Sequence, residues 1–169
     1  DPRVALVSAT GSTRMGLEVG PRVAARFGRS LLELGGNNAI IVTPSADLDL
    51  ATRAILFGAV GTAGQRCTTT RRLIVHPDVR DELVTRLKKA YASIRIGSPL
   101  EADTLLGPLI DRAAFDAMQG ALERARAEGG KVTGGERALA QQYPDGYYAT
   151  PAMVEMATQS STVHHETFA

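Results

Sequence analysis

The chain has 169 residues with 19 basic and 18 acidic side chains, a formal net charge of +1. This balance, with 44% hydrophobic and 22% charged residues, fits a soluble globular domain and argues against nucleic acid or an acidic membrane as partner. No apolar run approaches the ~18 residues of a membrane span, and a lone cysteine, Cys67, cannot form an internal disulfide, which points to a reducing, cytoplasmic setting.

Arg3 to Ala9 reads as a buried strand closed by the turn signal Thr10-Gly11. A helical pattern follows from Thr13 to Phe27, with Ser12 or Thr13 as N-cap and Pro21 expected to kink or interrupt it. Strand, glycine turn and helix together aim backbone N–H groups at a phosphate. Ser30 to Leu34 is a short apolar run carrying Glu33, a carboxylate that is costly there unless paired or functional. Gly35-Gly36 ends it, and Ala39 to Thr43 is a second buried-strand pattern. Pro44 and Asp47 start a small-residue helix over Leu48 to Val60. That helix delivers the glycine-flanked segment Gly61-Thr62-Ala63-Gly64-Gln65-Arg66-Cys67-Thr68-Thr69-Thr70.

Arg71 to His76 reads as a strand, and Pro77-Asp78 opens an amphipathic helix reaching Ile94. Gly97 to Gly107 is a loop, Asp111 caps a helix to Glu128, and Gly129-Gly130 closes it. Lys131 to Thr133 is a short strand, Gly134 to Gly146 a polar surface loop, and Met153 to Met156 the last strand. The alternation of strands and helices predicts an α/β class with largely parallel pairing. His76, His164 and His165 have no Cys or His partners at metal-ligand spacing, so no metal site is expected.

A free cysteine is usually a small buried hydrophobe. At Cys67 the glycine loop, the threonine run and the adjacent Arg66 point instead to a nucleophile, because a neighbouring cation favours thiolate. A thiolate attacks carbonyl carbon and can leave again, which suits a two-step covalent mechanism. Glu33 reads either as a general base, with its pKa raised by the apolar strand, or as a structural ion-pair partner of Arg66 or Arg71. Arg14, Arg71 and Arg72 read as a solvated or ion-paired face.

Four ordered motifs add a family resemblance. Ser-Ala-Thr-Gly-Ser-Thr-Arg-Met-Gly (8–16), Leu-Glu-Leu-Gly-Gly-Asn-Asn (32–38), Gly-Gln-Arg-Cys-Thr (64–68) and His-Glu-Thr-Phe-Ala (165–169) resemble the aldehyde dehydrogenase superfamily. The form of the second and third is most similar to the α-aminoadipic semialdehyde (piperideine-6-carboxylate) branch. The resemblance implies an α/β fold comprising the end of a Rossmann-type NAD-binding domain (1–32) and most of the catalytic domain (33–169). It implies Cys67 as nucleophile and Glu33 as the base that activates the deacylating water. Gly11, Ser12, Thr13 and Gly16 would contact the cofactor pyrophosphate region, and Leu34 would lie near the nicotinamide. Glu166 would bind the nicotinamide ribose, Phe168 would pack beside it, and Arg66 would take the substrate carboxylate. The cofactor would be NAD, with NADP also open, the substrate a small aldehyde entering lysine catabolism, and the parent a dimer or homotetramer. Glu33 favours hydrolytic release over transfer to coenzyme A.

The start at Asp1 and the stop at Ala169 suggest a central piece of a longer protein. The family's oxyanion asparagine and adenosine-ribose lysine would then lie upstream, and the piece alone would be nearly inactive. The alternatives are a non-catalytic module of this family, an aldehyde dehydrogenase for another aldehyde such as betaine aldehyde, and a cysteine acyltransferase or thioesterase. The last is disfavoured because no histidine has a base-like setting near the thiol.

Overall fold

In the computed structural model, which describes residues 1–169, the chain forms two compact units, Asp1–Gly36 and Asn37–Ala169. The first is a βαβ unit. Strand β1 (Leu6–Thr10) and strand β2 (Arg29–Glu33) pair in parallel, with Leu6 opposite Arg29 and Thr10 opposite Glu33. Helix α1 (Thr13–Ala24) connects them. Ser12 caps α1 by accepting the Met15 N–H at 3.1 Å, as expected. The helix passes through Pro21 and ends three residues before the expected Phe27. Phe27 instead adopts φ 58°. Its N–H bonds to the Ala24 carbonyl at 2.9 Å and the Gly28 N–H to the Val23 carbonyl at 3.1 Å. This is the doubly bonded left-handed ending that glycine usually provides. Pro21 thus sits in the last turns, where one missing donor interrupts little of the ladder.

In the second unit, strand β3 (Asn38–Val42) pairs in parallel with strand β4 (Thr70–Val75). Helix α2 (Leu48–Val60) connects them and matches the expected span. Asp47 caps it, accepting the N–H groups of Asp49 and Leu50 at 2.9 and 3.0 Å. Helix α3 (Pro77–Ala92) follows β4, with His76 as its cap and proline at its first position. Val42, Ile55, Leu83 and Leu87 form one core, joined by Ile40, Leu73 and Val75. The apolar stripes of α2 and α3 therefore bury against the β3–β4 ribbon. Each fully buried aliphatic side chain there contributes about 1.5–3 kcal/mol.

Helix α4 (Arg112–Ala127) is capped by Asp111, which accepts the Ala114 N–H at 2.8 Å. It packs Met118 and Leu122 with Leu109 and Ala149 in a second core. Gly129 at φ 84° and the Gly130 N–H bonded to the Ala125 carbonyl at 2.7 Å close the helix.

The later strands differ from expectation. Strand β5 (Lys131–Thr133) pairs antiparallel with β8 (Met153–Glu155), and β6 (Arg137–Ala138) pairs antiparallel with β7 (Tyr148–Ala149). Among the strands, parallel pairing holds where a helix makes the crossover, in β1–β2 and β3–β4. The expected loop over 134–146 includes β6, a pairing of two residues that is too short to show any alternation.

A short helix α5 (Ser161–His164) lies in the tail. Glu128, at the end of α4, accepts the hydroxyl of Ser160, the hydroxyl of Ser161 at 2.7 Å and the Thr162 N–H at 3.4 Å. The Ser160 hydroxyl contributes most to lowering the Glu128 pKa, from 4.5 to about 2, with the Ser161 hydroxyl next. Because the folded pKa is depressed, this docking is fully present above 4.5 and is lost as pH falls toward 2. The protection of amides 160–164, taken relative to intrinsic exchange at each pH, is expected to fall in that window. Glu128→Gln is expected to show the loosened tail already at pH 7; unchanged exchange in that variant would contradict the role of this carboxylate.

Candidate active site

Each unit gathers its own share of the expected site residues. In the first, the Gly11 N–H donates to the Glu33 carbonyl at 2.9 Å, extending the β1–β2 ladder into the glycine turn. Glu33 therefore ends β2 directly opposite the start of that turn. Its side chain is exposed, so the expectation of a carboxylate buried in an apolar strand is corrected. Four of the five β2 residues are exposed, Glu33 among them, and Leu32 is half-buried. Gly16 is buried, and a Cβ there would lie 2.6 Å from Leu34 Cδ1. Glycine at 16 is what admits Leu34 against α1.

The α1 N-terminus fits a pyrophosphate. Gly11, Ser12 and Thr13 lie at the helix start, and no acidic residue occupies the first turn. The residues present thus suit a dinucleotide phosphate, which is what the glycine-turn motif implies.

In the second unit, α2 ends at Gly61, and the chain turns through three consecutive left-handed residues: Thr62 (φ 55°), Ala63 (φ 53°) and Gly64 (φ 71°). Left-handed Thr and Ala are strained by roughly 1–2 kcal/mol each. Gly64 is required on two counts, since a Cβ there would also meet the Ala169 carbonyl carbon at 2.3 Å. The Gln65 side chain accepts the Ile110 N–H at 2.9 Å and anchors the turn to the next segment.

The residues around Cys67 form a tight loop. The Arg66 N–H donates to Thr69 Oγ1 at 3.2 Å, and the Thr69 N–H to the Arg66 carbonyl at 3.1 Å. Thr69 is the buried polar residue of the unit. Asn38 Nδ2 donates to the carbonyls of Cys67 at 2.6 Å and Thr69 at 3.0 Å. The backbone at the cysteine is thus held by both flanks while the thiol is exposed. This is the arrangement a nucleophile needs: fixed backbone, accessible sulfur. The Arg66 guanidinium stacks on the Phe57 ring, 5.5 Å from its centroid.

Arg71, read from the sequence as part of a solvated or ion-paired face, is ion-paired and buried, and it ties this loop to the tail. The β3–β4 register skips at this point: Asn38 pairs with Thr70 and Ala39 with Arg72. Arg71 is left as the bulged residue, and a bulge re-aims a side chain. Its guanidinium donates to the carbonyls of Gly64 and Arg66, both at 3.1 Å, and to that of Thr167. It ion-pairs with Glu166 at 3.5 Å and lies 5.3 Å from the Phe168 ring centroid. Its side chain is only 7% exposed. Burial pulls the Arg71 pKa below its ordinary value and the Glu166 carboxylate pulls it partly back, so the guanidinium remains the cation of the pair. The carboxylate partner of Arg71 is Glu166, which replaces the alternative that paired it with Glu33. Arg72 is likewise inward, donating to the Asn37 carbonyl at 3.0 and 2.8 Å. Asn37 in turn donates to the Val163 carbonyl at 2.9 Å.

Four groups given no site role from sequence therefore shape the Cys67 loop of this unit: Asn37, Asn38, Gln65 and Arg71. The paired asparagines directly after Gly35-Gly36 were the available signal, since amide side chains after a glycine turn commonly bond backbone. Arg71→Met is expected to weaken the hold on residues 166–169 by about 2–3 kcal/mol, because it removes hydrogen bonds to a charged donor. Hydrogen exchange of the full-length protein checks this: faster exchange at 64–66 and 167–169 is expected, and unaltered protection would contradict it.

A cavity of about 580 Å³ lies beside β4, lined in part by Arg71, Tyr91, Met118 and Val154. Cys67 does not line it.

Residues 1–169 match the profile described as "Aldehyde dehydrogenase family". The chain is 52% identical over 170 residues to the alpha-aminoadipic semialdehyde dehydrogenase of Bos taurus, covering 100% of this chain and 31% of that protein. It is 46% identical to "Aldehyde dehydrogenase family 7 member A1" of Brassica napus, covering 100% and 34%. The chain thus spans about a third of the length of these curated relatives. Among solved structures, the betaine aldehyde dehydrogenase of Staphylococcus aureus in complex with NAD+ superposes with a TM-score of 0.94 at 30% identity, covering 99% of this chain and 34% of that one. A glycine turn at a helix start, an exposed thiol on a held backbone and a full-length family match agree: the chain belongs to the aldehyde dehydrogenase family.

Proposed function

We propose that the protein carrying this chain oxidises an aldehyde to a carboxylic acid through a covalent adduct on Cys67. The observation that carries the reading is the Cys67 loop, with its backbone clamped by Asn38 and Thr69 and its sulfur exposed. The Cys67 thiolate attacks the aldehyde carbon and forms a thiohemiacetal. Loss of hydride from that carbon restores the carbonyl and leaves a thioester on Cys67. NAD, when bound, supplies the hydride acceptor. Glu33 then takes a proton from water, the resulting hydroxide attacks the thioester, and the Cys67 thiolate leaves with release of the acid. The exposure of Glu33 supports this role, because a base must reach water.

The first unit's Gly11, Ser12, Thr13, Gly16 and Leu34 would hold the cofactor. Glu166 and Phe168, kept in place by Arg71, would meet its nicotinamide ribose side. The single thiol suits a reducing compartment, the cytosol. Assembly as a dimer or tetramer rests on the family resemblance.

Arg66 would anchor a substrate carboxylate, for which a guanidinium fork is matched. Identity of 52% to the bovine alpha-aminoadipic semialdehyde dehydrogenase supports L-2-aminoadipate 6-semialdehyde as the substrate. A panel on the full-length protein tests this with that semialdehyde, betaine aldehyde and a simple aliphatic aldehyde. The semialdehyde is expected to give the highest kcat/KM, and betaine aldehyde, a fixed cation facing Arg66, the lowest. No preference for the semialdehyde would overturn the substrate assignment while leaving the reaction class.

A further inference from the structure

We infer that Gly61 is a specificity-determining position, acting through Arg66: its missing side chain is the seat of the guanidinium that would read the substrate carboxylate. The inference rests on the proposed anchoring role of Arg66. Phe57 and Gly61 are four residues apart at the end of α2, where the Gly61 N–H donates to the Phe57 carbonyl. Positions i and i+4 share one helix face, so the Phe57 ring and the bare Gly61 backbone form a notch. The Arg66 guanidinium fills it, 5.5 Å from the Phe57 ring centroid. A Cβ on Gly61 would stand 2.2 Å from Arg66 Nη2.

Gly61 is not needed for its backbone. Its φ of −49° and ψ of 131° are open to any L-residue, unlike Gly64 at φ 71°. The requirement at 61 is therefore space, and the group that takes the space is the tip of a flexible side chain. Arg66 Nε is buried without a hydrogen-bond partner, so shape and ring contact hold this guanidinium rather than a bond at every donor. A methyl group at 61 displaces it and leaves the loop backbone, held by Thr69 and Asn38, where it is. Gly61 is thus a positioning residue, and small size at 61 is coupled to preference for carboxylate-bearing aldehydes.

The test is a double-mutant cycle in the full-length protein with Gly61→Ala, Arg66→Ala and the double variant. The readout is the ratio of kcat/KM for L-2-aminoadipate 6-semialdehyde to kcat/KM for an unbranched aliphatic aldehyde without a carboxylate. Each single variant is expected to lower the ratio by about tenfold or more, the scale of a lost hydrogen bond to a charged group, mainly through KM for the semialdehyde. In the double variant Gly61→Ala is expected to add nothing further. If Arg66→Ala lowers the ratio and Gly61→Ala does not, this inference is overturned and the anchoring role of Arg66 stands. If Arg66→Ala leaves the ratio unchanged, the anchoring role itself fails, and the inference with it. An equal fall of both substrates in Gly61→Ala, or additive effects in the double variant, would show that position 61 acts on folding or access rather than through Arg66.

Discussion

Replacing Cys67 by alanine in the full-length protein is expected to cut aldehyde-dependent NADH formation by at least about 10⁴-fold, the scale of losing a covalent nucleophile. Little of that loss should come from unfolding. The thiol is exposed, and the hydrogen bonds that shape its loop run through backbone atoms and through Asn38, Thr69 and Arg71. Removing one exposed sulfur therefore alters stability by no more than about 0.5 kcal/mol. Thermal midpoint and turnover are to be measured on the same sample. A stable variant that still turns over would contradict the nucleophile role. A collapsed midpoint would mean that Cys67 is structural.

Glu33→Gln is expected to slow steady-state turnover by about 10²–10⁴-fold, the range for a general base, while sparing the first half of the reaction. The glutamine keeps the shape and loses the proton acceptor. The Glu33 backbone carbonyl, which accepts the Gly11 N–H at 2.9 Å, is untouched, so the glycine turn keeps its place. An exposed side chain at a strand end also leaves no buried group stranded. Loss of the first turnover along with the steady state would place Glu33 in the architecture of the turn rather than in deacylation.

Most elements were legible because their signals are local. Asp47 and Asp111 mark helix starts by hydrogen bonds that close within three residues, and the Leu48–Val60 helix stands as read. The cysteine loop was legible from glycines and threonines adjacent in the chain. What escaped was set by distance or by competing local rules. The sequence left Arg71 either solvated or ion-paired, because its partner Thr167 lies 96 positions away and the bulge that turns it inward leaves no mark in residue type. Strands β6 and β7 have two residues each, too few for any period. Phe27 lay inside the helical pattern, but the chain folds back there with Phe27 itself in the left-handed position. Glu33 looked buried because its neighbours are apolar, yet four of the five β2 residues, Glu33 among them, are exposed.

Arg71 also explains why residues far apart in sequence would act as one site. The same guanidinium holds the carbonyls of Gly64 and Arg66 beside Cys67 and the Glu166-Thr167-Phe168 hook in the tail. The sequence motif around the cysteine and the one at residues 165–169 are therefore two ends of one hydrogen-bonded cluster.

The division of labour between Cys67 and Glu33 is tested most directly by rapid mixing of the full-length Glu33→Gln variant with aldehyde and NAD, followed by acid quench and peptide mass measurement. One NADH per active site should form in a burst, and the peptide containing Cys67 should carry the acyl group. An unmodified Cys67 peptide after a full burst, or an acyl group on another residue, would contradict the covalent role of Cys67.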